Sequence, residues 1–124
     1  MTTDKGSGEG ILVVEDDDDV REALVALLEA HGYRAIEADN GRKALERLQE
    51  SAVCLILLDL YMPEMNGWAF RAEQVKDARL ANIPVVVVSA DSAAARRAAS
   101  PGVVAVINKP VEFAKLLHVL REYC

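Results

Sequence analysis

Five side chains that can do chemistry stand at the ends of four short apolar runs. Ile11–Val14 runs into Glu15 and Asp16, Val53–Leu58 into Asp59, Val85–Val88 into Ser89, and Val103–Ile107 past Asn108 into Lys109. Short Val/Ile/Leu runs spaced by helix-like segments read as strands of a parallel sheet covered on both faces. Ligands of such sheets sit just beyond the carboxyl ends of the strands. Three carboxylates, a hydroxyl and an ammonium are therefore aimed at one place.

Two unit charges 4 Å apart repel by about 4 kcal/mol at an effective dielectric near 20. Clustered Glu15, Asp16 and Asp59 must raise a pKa or hold a cation. Oxygen-only ligands in an open site suit Mg²⁺, which keeps several of its waters. A solvated helix start, in which acids complement the helix dipole, accounts for Asp16–Asp19 equally well. Asp59 offers a further acid at a neighbouring strand end. Beside a metal and a lysine it can act as a nucleophile toward phosphorus, giving an aspartyl phosphate. Such transfer needs in-line positioning and neutralised equatorial oxygens, which Mg²⁺, Lys109 and the Ser89 hydroxyl could share. Capping roles fit Asp59 and Ser89 taken singly. Lys109 precedes Pro110, so that bond is either a trans bond opening a helix or a cis bond turning the lysine into the site.

The elements that position these groups alternate regularly. Asp18 or Asp19 can cap a helix with Val20, Leu24, Leu27 and Leu28 inward, ended by His31-Gly32. Tyr33–Ala38 is a more polar strand, expected at a sheet edge. Asn40-Gly41 turns into a helix over Arg42–Glu50 with Ala44, Leu45 and Leu48 inward. Val53–Leu58 is apolar throughout and belongs at the centre. Helices follow over Trp68–Asp77, the Ala-rich Ser92–Ala99, and Glu112–Tyr123, the last burying Phe113, Leu116, Leu117 and Leu120. Ile83–Val88 and Val103–Ile107 are the fourth and fifth strands. The pattern predicts a doubly wound α/β fold.

Bulk properties agree with a small α/β domain. The 124 residues are 52% hydrophobic and 27% charged. The longest apolar run has six residues, short of the roughly 20 that span a membrane. No signal peptide is evident at the N-terminus, so the expected location is cytoplasmic. A net charge of −6 argues against direct nucleic-acid binding. Cys54 reads as a small packed hydrophobe and Cys124 as exposed, with no disulfide framework expected.

The segments Ile11–Asp17, Leu57–Gly67, Val88–Ala90 and Asn108–Pro110 resemble the receiver domain of two-component response regulators, the CheY-like family. The likeness runs from about residue 10 to 122, with the motifs in the family's order. It implies a flavodoxin-like five-stranded parallel sheet of order 2-1-3-4-5 with helices on both faces. It makes Asp59 the phosphoacceptor, Asp16 a direct Mg²⁺ ligand, and Glu15 a ligand through water. The Tyr61 carbonyl is a further metal ligand, Ser89 the switch hydroxyl, and Lys109 the phosphate-binding lysine before a cis proline. Residues 1–9 are then a flexible N-terminal segment and 10–124 a single receiver domain. The donor is a sensor histidine kinase or histidine phosphotransfer protein, and phosphorylation switches binding to a downstream protein target. The domain catalyses only its own phosphorylation and dephosphorylation, and has no membrane partner.

The chain departs from the family pattern at Val106, where many members carry an aromatic partner to the switch hydroxyl. The Ala-rich Ser92–Ala99 helix is expected to be short or mobile. Tyr61 and Asp91, each two places after a site residue, are placed to obstruct or to orient an attacking water. Pro63 and Gly67 are expected to rigidify the loop behind Asp59, with Gly67 in a backbone conformation that other residues resist. His118 falls on an outer face, His31 is no better a phosphotransfer candidate, and Trp68 reads as packing or a partner contact. Three other functions are weighed. A phosphorylation-independent interaction module of the same fold would normally lack a pocket residue. A phosphatase with an aspartyl nucleophile would carry a second Asp where Tyr61 stands. A flavin carrier would need a hydroxyl-rich loop after the first strand.

Overall fold

In a computed structural model, residues 9–62, 65–91, 93 and 101–124 are described. Most of the expected flexible N-terminal segment and of the Ala-rich Ser92–Ala99 helix, together with Pro63, lies outside them. Five strands, β1 (Gly10–Val14), β2 (Arg34–Ala38), β3 (Val53–Asp59), β4 (Val85–Ser89) and β5 (Val103–Asn108), form one sheet. All pairings are parallel and the order is β2-β1-β3-β4-β5. The helices among the described residues are α1 (Asp18–Ala30), α2 (Gly41–Glu50), α3 (Gly67–Lys76) and α4 (Phe113–Tyr123).

Side chains of a strand alternate between faces, and here both faces are covered. Leu12, Val14, Ile56, Leu58, Val85 and Val87 pack with Ala44 and Leu48 of α2 and Phe70 of α3. Ile11, Val13, Leu55, Leu57, Val86 and Val88 pack with Leu24 and Leu28 of α1 and Leu116 and Leu120 of α4. Each fully buried aliphatic side chain contributes about 1.5–3 kcal/mol. This double burial is why the central strands read as unbroken apolar runs. β2, with a half-exposed pattern, takes the edge as its polar sequence predicts.

Several local expectations are corrected. The cap of α1 is Asp17, whose side chain accepts from the Val20 amide at 3.1 Å, leaving Asp18 and Asp19 in the first turn. Ile83 and Pro84 precede β4, which begins at Val85. Gly67 has no left-handed backbone; among the described glycines the positive φ angles belong to Gly32 and Gly102. Gly67 opens α3, and a Cβ there would lie 2.7 Å from the Asp59 carbonyl and 2.8 Å from the Leu60 Cα. Its value is closeness of approach, pressing the start of α3 against the backbone of the site.

The cysteines carry the largest correction. Cys54 and Cys124 form a disulfide, with Cα atoms 5.7 Å apart. Their 70-residue separation in sequence conceals the meeting. A β-bulge produces it: Gly10 pairs with Val53, but Ile11 pairs with Leu55, so Cys54 is the extra residue. The bulge puts Cys54 on the same face as Leu55, against α4.

A buried amide closes the opposite side. Gln74 Nε2 donates to the carbonyls of Leu80 and Ile83 at 2.9 and 3.1 Å, and its Oε1 accepts from Arg71 at 3.0 Å. Because the Gly67 clash is with backbone, Gly67→Ala is expected to destabilise the domain by about 1–3 kcal/mol, read from urea unfolding. Unchanged stability would show that the approach of α3 is not constrained there.

Candidate functional site

Strand ends and the turns after them build the site. Glu15 and Asp16 follow β1, Asp59 ends β3, Ser89 ends β4, and Lys109 follows β5. The registers Asp59↔Val88 and Ser89↔Asn108 fix these tips side by side. Glu15, Asp59 and Ser89 are buried, while Asp16 is exposed. One carboxylate oxygen from each of Glu15, Asp16 and Asp59 lies within 4.8 Å of the others. The three acids expected at the strand ends therefore meet in one cluster.

Lys109 is the countercharge. Its Nζ lies 2.7 Å from Glu15 Oε1 and 3.7 Å from Asp59 Oδ1. The Lys109-Pro110 bond is cis, and the Lys109 amide donates to the Ser89 carbonyl at 2.9 Å. Burial alone would lower the lysine pKa. The hydrogen bond to Glu15 and the charges of Asp59, Glu15 and Asp16 reverse this, raising it above its ordinary value. Asp59 is pushed up to about 7, first by desolvation and then by the Glu15 charge, against the opposing pull of Lys109.

Two groups that sequence reasoning missed hold the acidic turn. Arg21 on α1 donates from Nη1 to the Glu15 carbonyl at 2.8 Å and pairs with Asp18 and Glu37. The Asp17 amide donates to Glu15 Oε2 at 3.1 Å. The Asp18-to-Arg21 spacing of three on a helix is the only signal that could have pointed to Arg21.

The remaining residues behave less simply. The Tyr61 amide approaches Asp59 Oδ1 at 3.4 Å, and its ring packs edge-on to Trp68 with centroids 5.3 Å apart. Tyr61 Oη donates to Asp91 Oδ2 at 3.3 Å. The two positions singled out for water access therefore touch each other across the mouth of the site. Ser89 Oγ accepts from the Asp91 amide at 3.0 Å and lies 3.3 Å from its carbonyl, so here it caps the turn after β4. Val106 is 39% exposed. His118 is exposed as expected, and His31 packs on Phe113 with ring centroids 4.8 Å apart.

Such a site can hold a hard cation and present Asp59 as a nucleophile. The donor set fits Mg²⁺: three clustered acids, one with a raised pKa, gain from any added positive charge.

Comparison with known proteins gives a consistent picture. The profile of the response regulator receiver domain matches residues 11–121. The chain is 37% identical over 118 residues to the response regulator receiver protein CpdR of Brucella abortus, covering 90% of this chain and 93% of that one. A response regulator receiver protein from Pseudomonas putida superposes with a TM-score of 0.86 at 30% identity, covering 94% of this chain and 98% of that one. The response regulator TrrA of Thermotoga maritima, crystallised with Mg²⁺-BeF, gives a TM-score of 0.82 at 26% identity, covering 94% and 99%. No helix among the described residues is long and apolar enough to cross a membrane.

The raised Asp59 pKa carries a signed consequence for stability. The folded state holds the Asp59 proton up to about pH 7, whereas the unfolded chain releases it near pH 4. Stability is therefore lost as pH rises through that window. Without divalent cations, Asp59→Asn is expected to be near neutral at pH 4.5. At pH 8 it should stabilise by about 2 kcal/mol or more, measured by urea unfolding. An equal effect at both pH values would contradict burial and the Glu15 charge as the cause.

Proposed function

The chain belongs to the receiver domain family of two-component response regulators, and from that premise we propose that Asp59 is its phosphoacceptor. The proposed domain spans residues 10–124. The supporting observation is the cluster of buried Glu15 and Asp59 with half-buried Lys109 at the carboxyl edge of the sheet, Lys109 Nζ lying within 3.7 Å of Asp59 Oδ1.

Glu15, Asp16, Asp59 and the Tyr61 carbonyl would hold Mg²⁺. When bound, Mg²⁺ supplies positive charge that keeps Asp59 ionised and neutralises phosphoryl oxygens. The rest falls to the chain itself. Asp59, deprotonated, attacks the phosphorus of a phosphohistidine on a sensor kinase or phosphotransfer protein. The Asp59 O–P bond forms as the P–N bond breaks, and the histidine nitrogen leaves with the electron pair. Lys109 gives up part of its pairing with Glu15 to meet the new negative charge. Ser89 must exchange its turn-capping contacts with Asp91 for a phosphoryl oxygen, and that exchange moves the loop after β4. Tyr61, braced on Trp68 and bonded to Asp91, stands over the same entrance and sets how readily water reaches the acyl phosphate.

The output is a change in affinity for a protein target, made without direct nucleic-acid contact, and the proposed location is the cytoplasm. A receiver-like module that works without phosphorylation is the competing reading, favoured by the engaged Ser89 and by Val106.

Incubation with a small acyl phosphate donor, with and without Mg²⁺, tests the assignment by intact mass. Wild type is expected to gain one phosphoryl group only with Mg²⁺, and Asp59→Asn none. Labelling that survives Asp59→Asn would sink the acceptor assignment, and no labelling of wild type would favour the phosphorylation-independent module. Removing the tyrosine hydroxyl should loosen the entrance: Tyr61→Phe is expected to change the phosphoryl half-life at least 2-fold. An unchanged half-life would remove the Tyr61–Asp91 contact from the account.

A further inference from the structure

The Cys54–Cys124 pair lies at the end of the central strand remote from Asp59, and phosphoryl chemistry does not use it. Cys54 is the second residue of β3, on the bulge that turns it toward α4, and is buried. Cys124 caps the C-terminal end of α4, its amide donating to the Leu120 carbonyl at 2.8 Å, and is only half-buried. Cys54 Sγ also lies 3.5 Å from the Gly10 carbonyl. A disulfide sulfur has no proton to give that oxygen, but a reduced thiol does. Both oxidation states of Cys54 therefore have a place in the same fold.

We propose that Cys54 and Cys124 form a reversible thiol–disulfide staple that fastens the C-terminal end of α4 to the central strand. Cys124, the less buried of the two residues, reacts first. As a thiolate it attacks one sulfur of oxidised glutathione or a similar small disulfide, forming a mixed disulfide and releasing one glutathione thiol. The Cys54 thiolate then displaces the second glutathione. Two protein thiols are oxidised as one small disulfide is reduced, with two protons passing to the departing thiols. Millimolar reduced glutathione reverses the sequence by attacking at Cys124. In the oxidised state the last turn of α4 cannot lift from the sheet, whatever the phosphorylation state of the other end.

The pair closes a long loop, so the staple strongly restricts the unfolded chain. The test treats the purified full chain with oxidised or reduced glutathione, then alkylates it with N-ethylmaleimide in denaturant and weighs it. The expected oxidised species is a monomer that takes up no label, with a Tm higher by about 10 °C. Native incubation with millimolar reduced glutathione should restore two labelled thiols and the lower Tm. Cys124→Ser should keep the lower Tm in both buffers. Two labelled thiols after oxidation, disulfide-linked dimers, equal Tm values, or a bond that resists the native reductant would each overturn the proposal. The wild-type arms decide it even if the variant fails to fold.

Discussion

Two buried carboxylates and one ammonium share the carboxyl edge of this sheet, and the surrounding structure is arranged around that imbalance. Lys109 sits closer to Glu15 than to Asp59, so Asp59 is left the less compensated acid. Desolvation and the Glu15 charge then hold its pKa near 7. A buried charge lacking full compensation is costly, and it persists only where the scaffold forbids rearrangement. Register across β3, β4 and β5 forbids lateral drift, Arg21 pins the carbonyl of Glu15, and Gly67 presses α3 against the backbone of Asp59. The same imbalance makes the site receptive to a divalent cation and, after it, to a phosphoryl group that Lys109 can meet.

Signal must leave the site through what touches it. The Lys109 amide is bonded to the Ser89 carbonyl, and the Ser89 hydroxyl to Asp91, whose carboxylate meets Tyr61. Recruiting Ser89 or Lys109 to a phosphoryl oxygen disturbs this chain of contacts at once. At Val106, where an aromatic partner is common in the family, there is no ring to turn. Among the described residues, Tyr61 joins the end of β4 to the site entrance through its bond to Asp91, with Trp68 packed on its ring.

The acidic cluster was legible because apolar runs buried on both faces mark strands whose ends are where chemistry collects, and the edge position of β2 because its sequence is polar; the sheet order followed from the likeness to the receiver family. Matching motifs in the family's order made the family legible, and Asp59, Ser89 and Lys109 stand together at the strand ends where those motifs put them. What escaped notice depends on three-dimensional coincidence. Arg21 looks like any surface arginine until α1 folds back over the acidic turn. Gly67 looks like a turn glycine, since sequence does not distinguish a required φ angle from a required closeness. The disulfide depends on a one-residue bulge, and strict alternation would have put Cys54 on the opposite face from α4. Gln74 gives no periodic signal, because a buried amide is tolerated only once the Leu80 and Ile83 carbonyls are in place.

Mg²⁺ binding, followed by calorimetry at pH 8, tests most directly whether under-compensated acid charge governs the site. Glu15→Gln and Asp59→Asn are each expected to weaken binding about 10-fold or more, roughly 1.4 kcal/mol. Lys109→Met, which removes the countercharge, is expected to strengthen it several-fold. Equal affinities in wild type and all three variants would contradict the account.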